Sequence, residues 1–196
     1  MGKRLFDIVG ALCGLLFILP FTPFIAYAIW REDKGSVFVG IPRVSEGRVI
    51  TVWKFRTMVP GAHAMKKELL HLNERTDGPL FKVKDDPRLT RVGKVLRMLR
   101  VDEFPQFWNV LTGELALVGP RPHEPEEIAA YPDEFKHLAN AKAGLTGLSQ
   151  VMGASALPFR KELEYDAAYL EKPSLMFDMK ILLKTVLIFF TDPSGV

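Results

Sequence analysis

Two adjacent acids, Asp102 and Glu103, open the segment of this chain best suited to chemistry, VDEFPQFWNVL at 101–111. Pro105 and an apolar run follow them at once. Proline is tolerated in the first turn of a helix, where backbone N–H groups have no intrahelical partner. The acids therefore lie at or just before a helix N-terminus. Free N–H groups and the helix dipole there favour an anion or a metal-bound phosphate. Paired carboxylates beside such a place suit a nucleophile, a metal ligand or a general base. On this segment alone, an N-capping Asp followed by a solvated Glu is the plainer alternative.

Arginines surround the pair in sequence: Arg56, Arg88, Arg91, Arg97, Arg100 and Arg121. Arginine offers phosphate a planar fork of donors. Arg121 stands between Pro120 and Pro122, a placement that limits its backbone and predicts a held side chain. Arg91 and Arg100 read better as surface ion-pair residues. A second acid pair, Asp85-Asp86, could bind a metal, but Pro87 and Arg88 follow directly and the pattern predicts a structural turn. The four histidines (63, 71, 123 and 137) have no zinc spacing and are expected on the surface. The only cysteine, Cys13, excludes an intrachain disulfide and reads as a small hydrophobe.

These residues need a frame. A length of 196 residues allows one domain with a real core. A net charge of +3 gives no argument for nucleic acid, but basic residues gather at Lys3-Arg4, around Lys54 and Arg56, between positions 82 and 100, and at Arg121. That distribution suits anionic lipid or phosphate. Residues 5–30 are almost wholly apolar, with basic residues at both flanks. The run is long enough to span a bilayer, which takes about 20 residues. Pro20 and Pro23 break its middle, and basic flanks prefer the cytoplasmic side, so a re-entrant helix is favoured over a kinked span. Asp7 is expected near the interface, in water or paired with Arg4.

Beyond the apolar run, residues 36–53 alternate as a β-hairpin around Ser45-Glu46-Gly47, and Lys54 to Met58 continue its second strand. Residues 61–75 predict an amphipathic helix, and helices are expected at 91–99 and 104–111. Residues 76–90, 113–122 and 144–153 read as loops. Residues 124–141 predict a helical region interrupted at Pro132, and two helices follow at 159–171 and 174–190. The last is apolar apart from Asp178, Lys180 and Lys184, and fits either the membrane interface or a buried core.

The order of these pieces is specific: a Pro-broken apolar N-terminus, KFRTM, FKVKDDPRLTRVGKVLR, DEFPQFWNVLTGELALVGPRP, GLTGLSQV and EYDAAYLEKPSLMFDMKILLKTV. This succession resembles the bacterial sugar transferase family, the monotopic phosphoglycosyl transferases, over nearly the whole chain. The resemblance implies a helix-dominated α+β fold. Residues 1–34 would form a re-entrant membrane anchor broken at Pro20. Residues 35–196 would form a compact cytosolic catalytic domain with a small β-hairpin and interfacial helices. It implies an enzyme of the bacterial inner membrane with its site on the cytoplasmic face. Such an enzyme moves a phosphosugar from a UDP-sugar to polyprenol phosphate and releases UMP.

By resemblance Asp102 is the nucleophile and a ligand to Mg²⁺, and Glu103 assists proton transfer or positions the acceptor. Lys54, Arg56, Arg88, Arg97, Gln106 and Arg121 would bind substrate. Membrane lipid is an implied partner, nucleic acid is not, and a homodimer is compatible. This chain departs from the family pattern at Arg100-Val101, at Lys142-Ala143 and at Ala154, where family members often carry Ser-Leu, Arg-Pro and Arg. Lysine does not replace arginine at a bidentate phosphate site. The departures leave Gln106, Asn109 and the GPRP loop intact and bear on donor contacts at 142–154. A non-catalytic, membrane-anchored interaction module on the same fold is the alternative function.

Overall fold

The computed structural model describes residues 2–153 and 156–191, and Ala154 lies outside them. The apolar N-terminus forms α1 (Gly2–Ile18) and α2 (Thr22–Asp33), followed by β1 (Phe38–Ser45) and β2 (Arg48–Phe55). Next come α3 (Ala62–Met65), α4 (Arg91–Met98), a 3-10 turn at Val101–Glu103, α5 (Gln106–Thr112) and β3 (Ala116–Val118). The chain continues through α6 (Pro125–Ala129), a 3-10 helix at Asp133–Asn140, β4 (Gly144–Thr146) and α7 (Leu148–Val151). It closes with α8 (Phe159–Glu171) and α9 (Leu175–Thr191). The expected helix-dominated α+β fold with a small hairpin is what is found.

α1 and α2 meet at a 62° bend. Pro20 lies in the turn between them, and Pro23 falls in the first turn of α2, where its missing N–H leaves no bond unmade. Among the described residues no single helix is long and apolar enough to cross a membrane. The bent pair together has the length and composition of a broken span or a re-entrant loop.

α1 also belongs to the core. Asp7, Ala11 and Ile18 are buried on one face, while Leu5, Val9, Leu12 and Leu16 are exposed on others. The Asp7 carboxylate accepts the Leu117 N–H at 2.9 Å. Arg4 donates to the Val110 and Leu111 carbonyls at 2.7 Å each, closing the C-terminal turn of α5. The expected Asp7–Arg4 pairing therefore gives way to a different solution. Each side chain serves a backbone group that the fold would otherwise leave unsatisfied.

The hairpin runs in register from Phe38 opposite Phe55 to Ser45 opposite Arg48. Glu46 and Gly47 turn it with φ of 52° and 70°, the left-handed pair that matches strand twist in a two-residue loop. β3 and β4 pair in parallel, Ala116 opposite Gly144 and Val118 opposite Thr146. The loops expected at 113–122 and 144–153 thus contain a small buried sheet, and 144–153 also contains α7. Three-residue strands buried on both faces show no alternation for a sequence pattern to catch. Val52, Val110, Leu115, Leu117, Tyr169 and Ile181 pack with Ala11 into the main core.

The helix expected at 61–75 is also corrected. Only Ala62–Met65 is α-helical, with a 3-10 turn at Leu70–Leu72. Met65 and Leu69 are only half-buried and Leu72 is exposed, so the apolar spacing gains little burial to support a long helix. Asn73 gathers the following loop instead: its amide accepts from the Arg75 and Lys82 N–H groups and donates to the Arg75 and Leu80 carbonyls.

α9 buries its one acid. Asp178 and Ile181 are buried, whereas Leu175, Met176, Met179, Leu183, Val186, Leu187 and Phe190 are exposed, along with Lys180 and Lys184. Asp178 is held by Lys3 at 2.5 Å and by the Tyr169 hydroxyl at 2.7 Å. The outward face of α9 is an exposed apolar surface edged by two lysines.

Candidate active site

Asp102 and Glu103 occupy the 3-10 turn between α4 and α5. Arg100 enters that turn with φ of 51°, a left-handed conformation that re-aims the chain just before the acids. Asp102 is 7% exposed. Burial, aided by the Glu103 charge, pushes its carboxyl up to about 6 against the pull of Lys54 and Arg97. Glu103 has 44% of its side chain exposed and meets Lys54 at 2.5 Å. Burial of its carboxylate works to raise it, but the Lys54 ammonium, with Arg121 and Arg43 beyond, holds it below the usual range. One acid is easy to protonate and hidden; the other stays charged and is reachable from solvent. Two neighbouring carboxyls pushed apart in this way can take different roles.

Several elements converge on the pair. Lys54 comes from the end of β2 and Gln106 is buried in the first turn of α5. Asn109 ties the two together: its amide accepts the Trp53 N–H at 3.0 Å and donates to the Thr51 carbonyl at 2.7 Å. Arg97 on α4 donates to the Thr57 hydroxyl at 3.1 Å. Thr90 caps α4 by accepting the Gly93 N–H at 2.9 Å, and Gly93 lies so close to Thr57 that a Cβ there would stand 1.9 Å from its carbonyl oxygen. Arg121 follows β3.

Lys54 and Arg97 act on Asp102, and Lys54 and Arg121 on Glu103, while Gln106 is buried in the helix that follows the pair. Arg56 and Arg88 are each engaged in a forked ion pair. Arg56 forks onto Asp33 at the end of α2, a contact that lowers the Asp33 carboxyl. Arg88 forks onto Asp86 at 2.5 and 2.9 Å, donates to the Ala62 carbonyl and stacks on Phe81. Burial would raise Asp86, but the Arg88 bonds win and its carboxyl is lowered. The Asp85-Asp86 segment is the structural turn expected, with the Asp86 carbonyl accepting the Leu89 N–H.

The sequence reading missed Arg43, whose charge acts on Glu103 and which pairs with Glu124 at 2.9 Å. Period-two alternation would have found it, since Arg43 shares its strand face with Ile41 and buried Ser45. His123 is corrected from surface to core: it is 1% exposed and its Nδ1 bonds the Tyr131 hydroxyl. His63, His71 and His137 are exposed as expected. Glu162 and Asp166, also unforeseen, lie buried behind Arg121.

A hidden carboxyl, a charged neighbour and a set of cations form an arrangement that can hold an anionic, phosphate-bearing group. The Bacterial sugar transferase family model matches residues 1–192, and the chain belongs to that family. It is 39% identical over 188 residues to the galactosyl transferase CpsE of Streptococcus agalactiae, covering 95% of this chain and 41% of that protein. A UDP-galactose-lipid carrier transferase of Erwinia amylovora is 38% identical over 192 residues, covering 94% and 39%. The exopolysaccharide production protein ExoY of Rhizobium meliloti is 34% identical over 190 residues, covering 95% and 84%. The chain therefore spans about two fifths of the first two relatives and most of the third.

Proposed function

We propose that this protein transfers a sugar phosphate from a UDP-sugar to polyprenol phosphate at the bacterial inner membrane, with its site on the cytoplasmic face. The observation that carries the reading is Asp102, buried at 7% exposure beside Lys54 and Arg97. Relatives named for UDP-galactose-lipid carrier transfer and undecaprenyl-phosphate galactose phosphotransfer support it.

In this reading an Asp102 oxygen attacks the sugar-bearing phosphorus, and the bond from that phosphorus to the UMP oxygen breaks. Arg97, Arg121 and Lys54 hold the diphosphate, and Glu103 serves the acceptor. A polyprenol phosphate oxygen then attacks the same phosphorus. The aspartyl–phosphorus bond breaks, the carboxylate is regenerated, and polyprenyl-diphosphate-sugar leaves. Mg²⁺ fits the donor set: it takes one or two carboxylates with substrate phosphates rather than an all-protein cage. In this reading Asp102 would be the protein's ligand to Mg²⁺. When bound, Mg²⁺ would neutralise charge on the diphosphate and ease departure of UMP.

In this reading residues 1–34 are the anchor and 35–196 the catalytic part; the bend of α1–α2 supports the anchor, and α1 also packs into the main core through Ala11. A UMP-release screen across UDP-sugars, with polyprenol phosphate and Mg²⁺, tests the function. Release with at least one donor that depends on Asp102 supports it; none with any donor sinks it.

A further inference from the structure

Glu162 and Asp166 stand four residues apart on α8, so both face the same way, and both are buried at 1% and 2% exposure. Like charges at that spacing repel, and a buried charge is costly unless paired. Arg75 answers one oxygen of Glu162 at 2.8 Å. Among the described residues the other oxygen, Oε2, has no hydrogen-bond donor, while the buried Ser149 side chain serves the Asp166 carboxylate. Arg121 fills the need from above. Its backbone N–H donates to Asp166 Oδ2 at 3.0 Å, and its guanidinium lies 4.0 Å from Glu162 Oε2. That guanidinium is 34% exposed and its charge reaches Glu103. It is attracted from behind without being locked by a short bond, unlike Arg56 and Arg88.

We propose that Glu162 and Asp166 are positioning residues that aim Arg121 at the donor diphosphate, Asp166 by fixing the loop backbone and Glu162 by orienting the guanidinium. The proposal rests on the transferase reading. Both carboxyls are driven upward by burial, which marks them as groups that gain from a nearby cation.

A double-mutant cycle on Glu162→Gln and Arg121→Lys tests it in the full chain in nanodiscs. It is read on UDP affinity by calorimetry and on UMP release. Each single variant should weaken UDP binding about tenfold, and the double variant should fall short of the product by about fivefold or more. Asp166→Ala should raise the KM for donor more than it lowers kcat. Asp166→Asn should recover most of the loss, because its amide oxygen still accepts the Arg121 N–H. Asp77 accepts from the Arg75 guanidinium and from the Phe159 N–H at the start of α8, so Asp77→Asn should lower thermal stability and leave UDP affinity within about twofold. Additive losses, or an Asp77→Asn effect on affinity equal to that of Glu162→Gln, would overturn the positioning role. Wild type that binds UDP yet releases no UMP would remove the transferase reading, and the cycle on UDP affinity would still decide the positioning role. Absence of UDP binding would remove both.

Discussion

At the scale of single residues, arginines that look alike in sequence divide into two kinds. Arg56 and Arg88 hold the frame through forked pairs with Asp33 and Asp86, whereas Arg97 and Arg121 stay near the dyad. Sequence spacing showed that cations surround the acids. It did not show which carboxylate each would meet, because Asp33 lies far from Arg56 along the chain. Arg88→Met should cost about 3 kcal/mol, since breaking one side of a buried pair strands the other charge. Turnover per folded molecule should survive. Lys54→Met should do the reverse, keeping the denaturation midpoint and losing donor turnover. Urea melts beside UMP release separate the two.

His123 gives a pH test. Burial, reinforced by Arg121, Arg43 and Arg75, holds its imidazole well below the ordinary value. The folded state keeps it neutral while the unfolded state takes a proton below about pH 6.5. Stability from this group is therefore present above pH 6.5 and is lost by about 1.4 kcal/mol per pH unit as pH falls toward its folded value. His123→Gln should flatten the melting curve against pH between 7 and 5.5; an unchanged slope would contradict the burial.

At the scale of elements, long segments with clear periodicity were legible: the hairpin about Glu46-Gly47, the helix beginning at Arg91, and the helices α8 and α9. The dyad was placed correctly before a helix because Pro105 marks its start. What escaped were elements defined only by contacts. β3 and β4 are three residues each and exist because Ala116 and Gly144 meet across the chain. Residues 61–75 failed the other way, having helical spacing with little burial to support it. The docking of α4 is a sharp test of how the site is framed. Gly93→Ala gains intrinsic helix propensity of about 1 kcal/mol. The clash with the Thr57 carbonyl should outweigh it and destabilise the fold by about 1–3 kcal/mol. Donor turnover should drop as well, because Arg97 leans on Thr57. A more stable, fully active variant would show that α4 does not set Arg97.

At the scale of the whole molecule, the outward leucines of α9 and the bend of α1–α2 place a polar site beside apolar surface. That arrangement suits a water-soluble donor and a lipid-tethered acceptor. If the bend is re-entrant, cysteines added at the N-terminus and beyond Asp33 should both resist an impermeant reagent in intact cells. Pro20→Leu should restore a helical hydrogen bond and straighten the pair into a span, bringing one label outside. Labelling of either site in wild type would refute the topology. Covalent transfer through Asp102 is tested most directly by trapping the intermediate. Wild-type protein is mixed with its UDP-sugar and Mg²⁺ without acceptor, quenched in acid and examined by mass spectrometry, while released UMP is counted. Wild type should give UMP up to about one equivalent and a phosphosugar adduct on Asp102, and Asp102→Asn should give neither. Turnover with acceptor under a sequential rate law, with no adduct at any time, would contradict covalent transfer and reduce Asp102 to an oxygen donor.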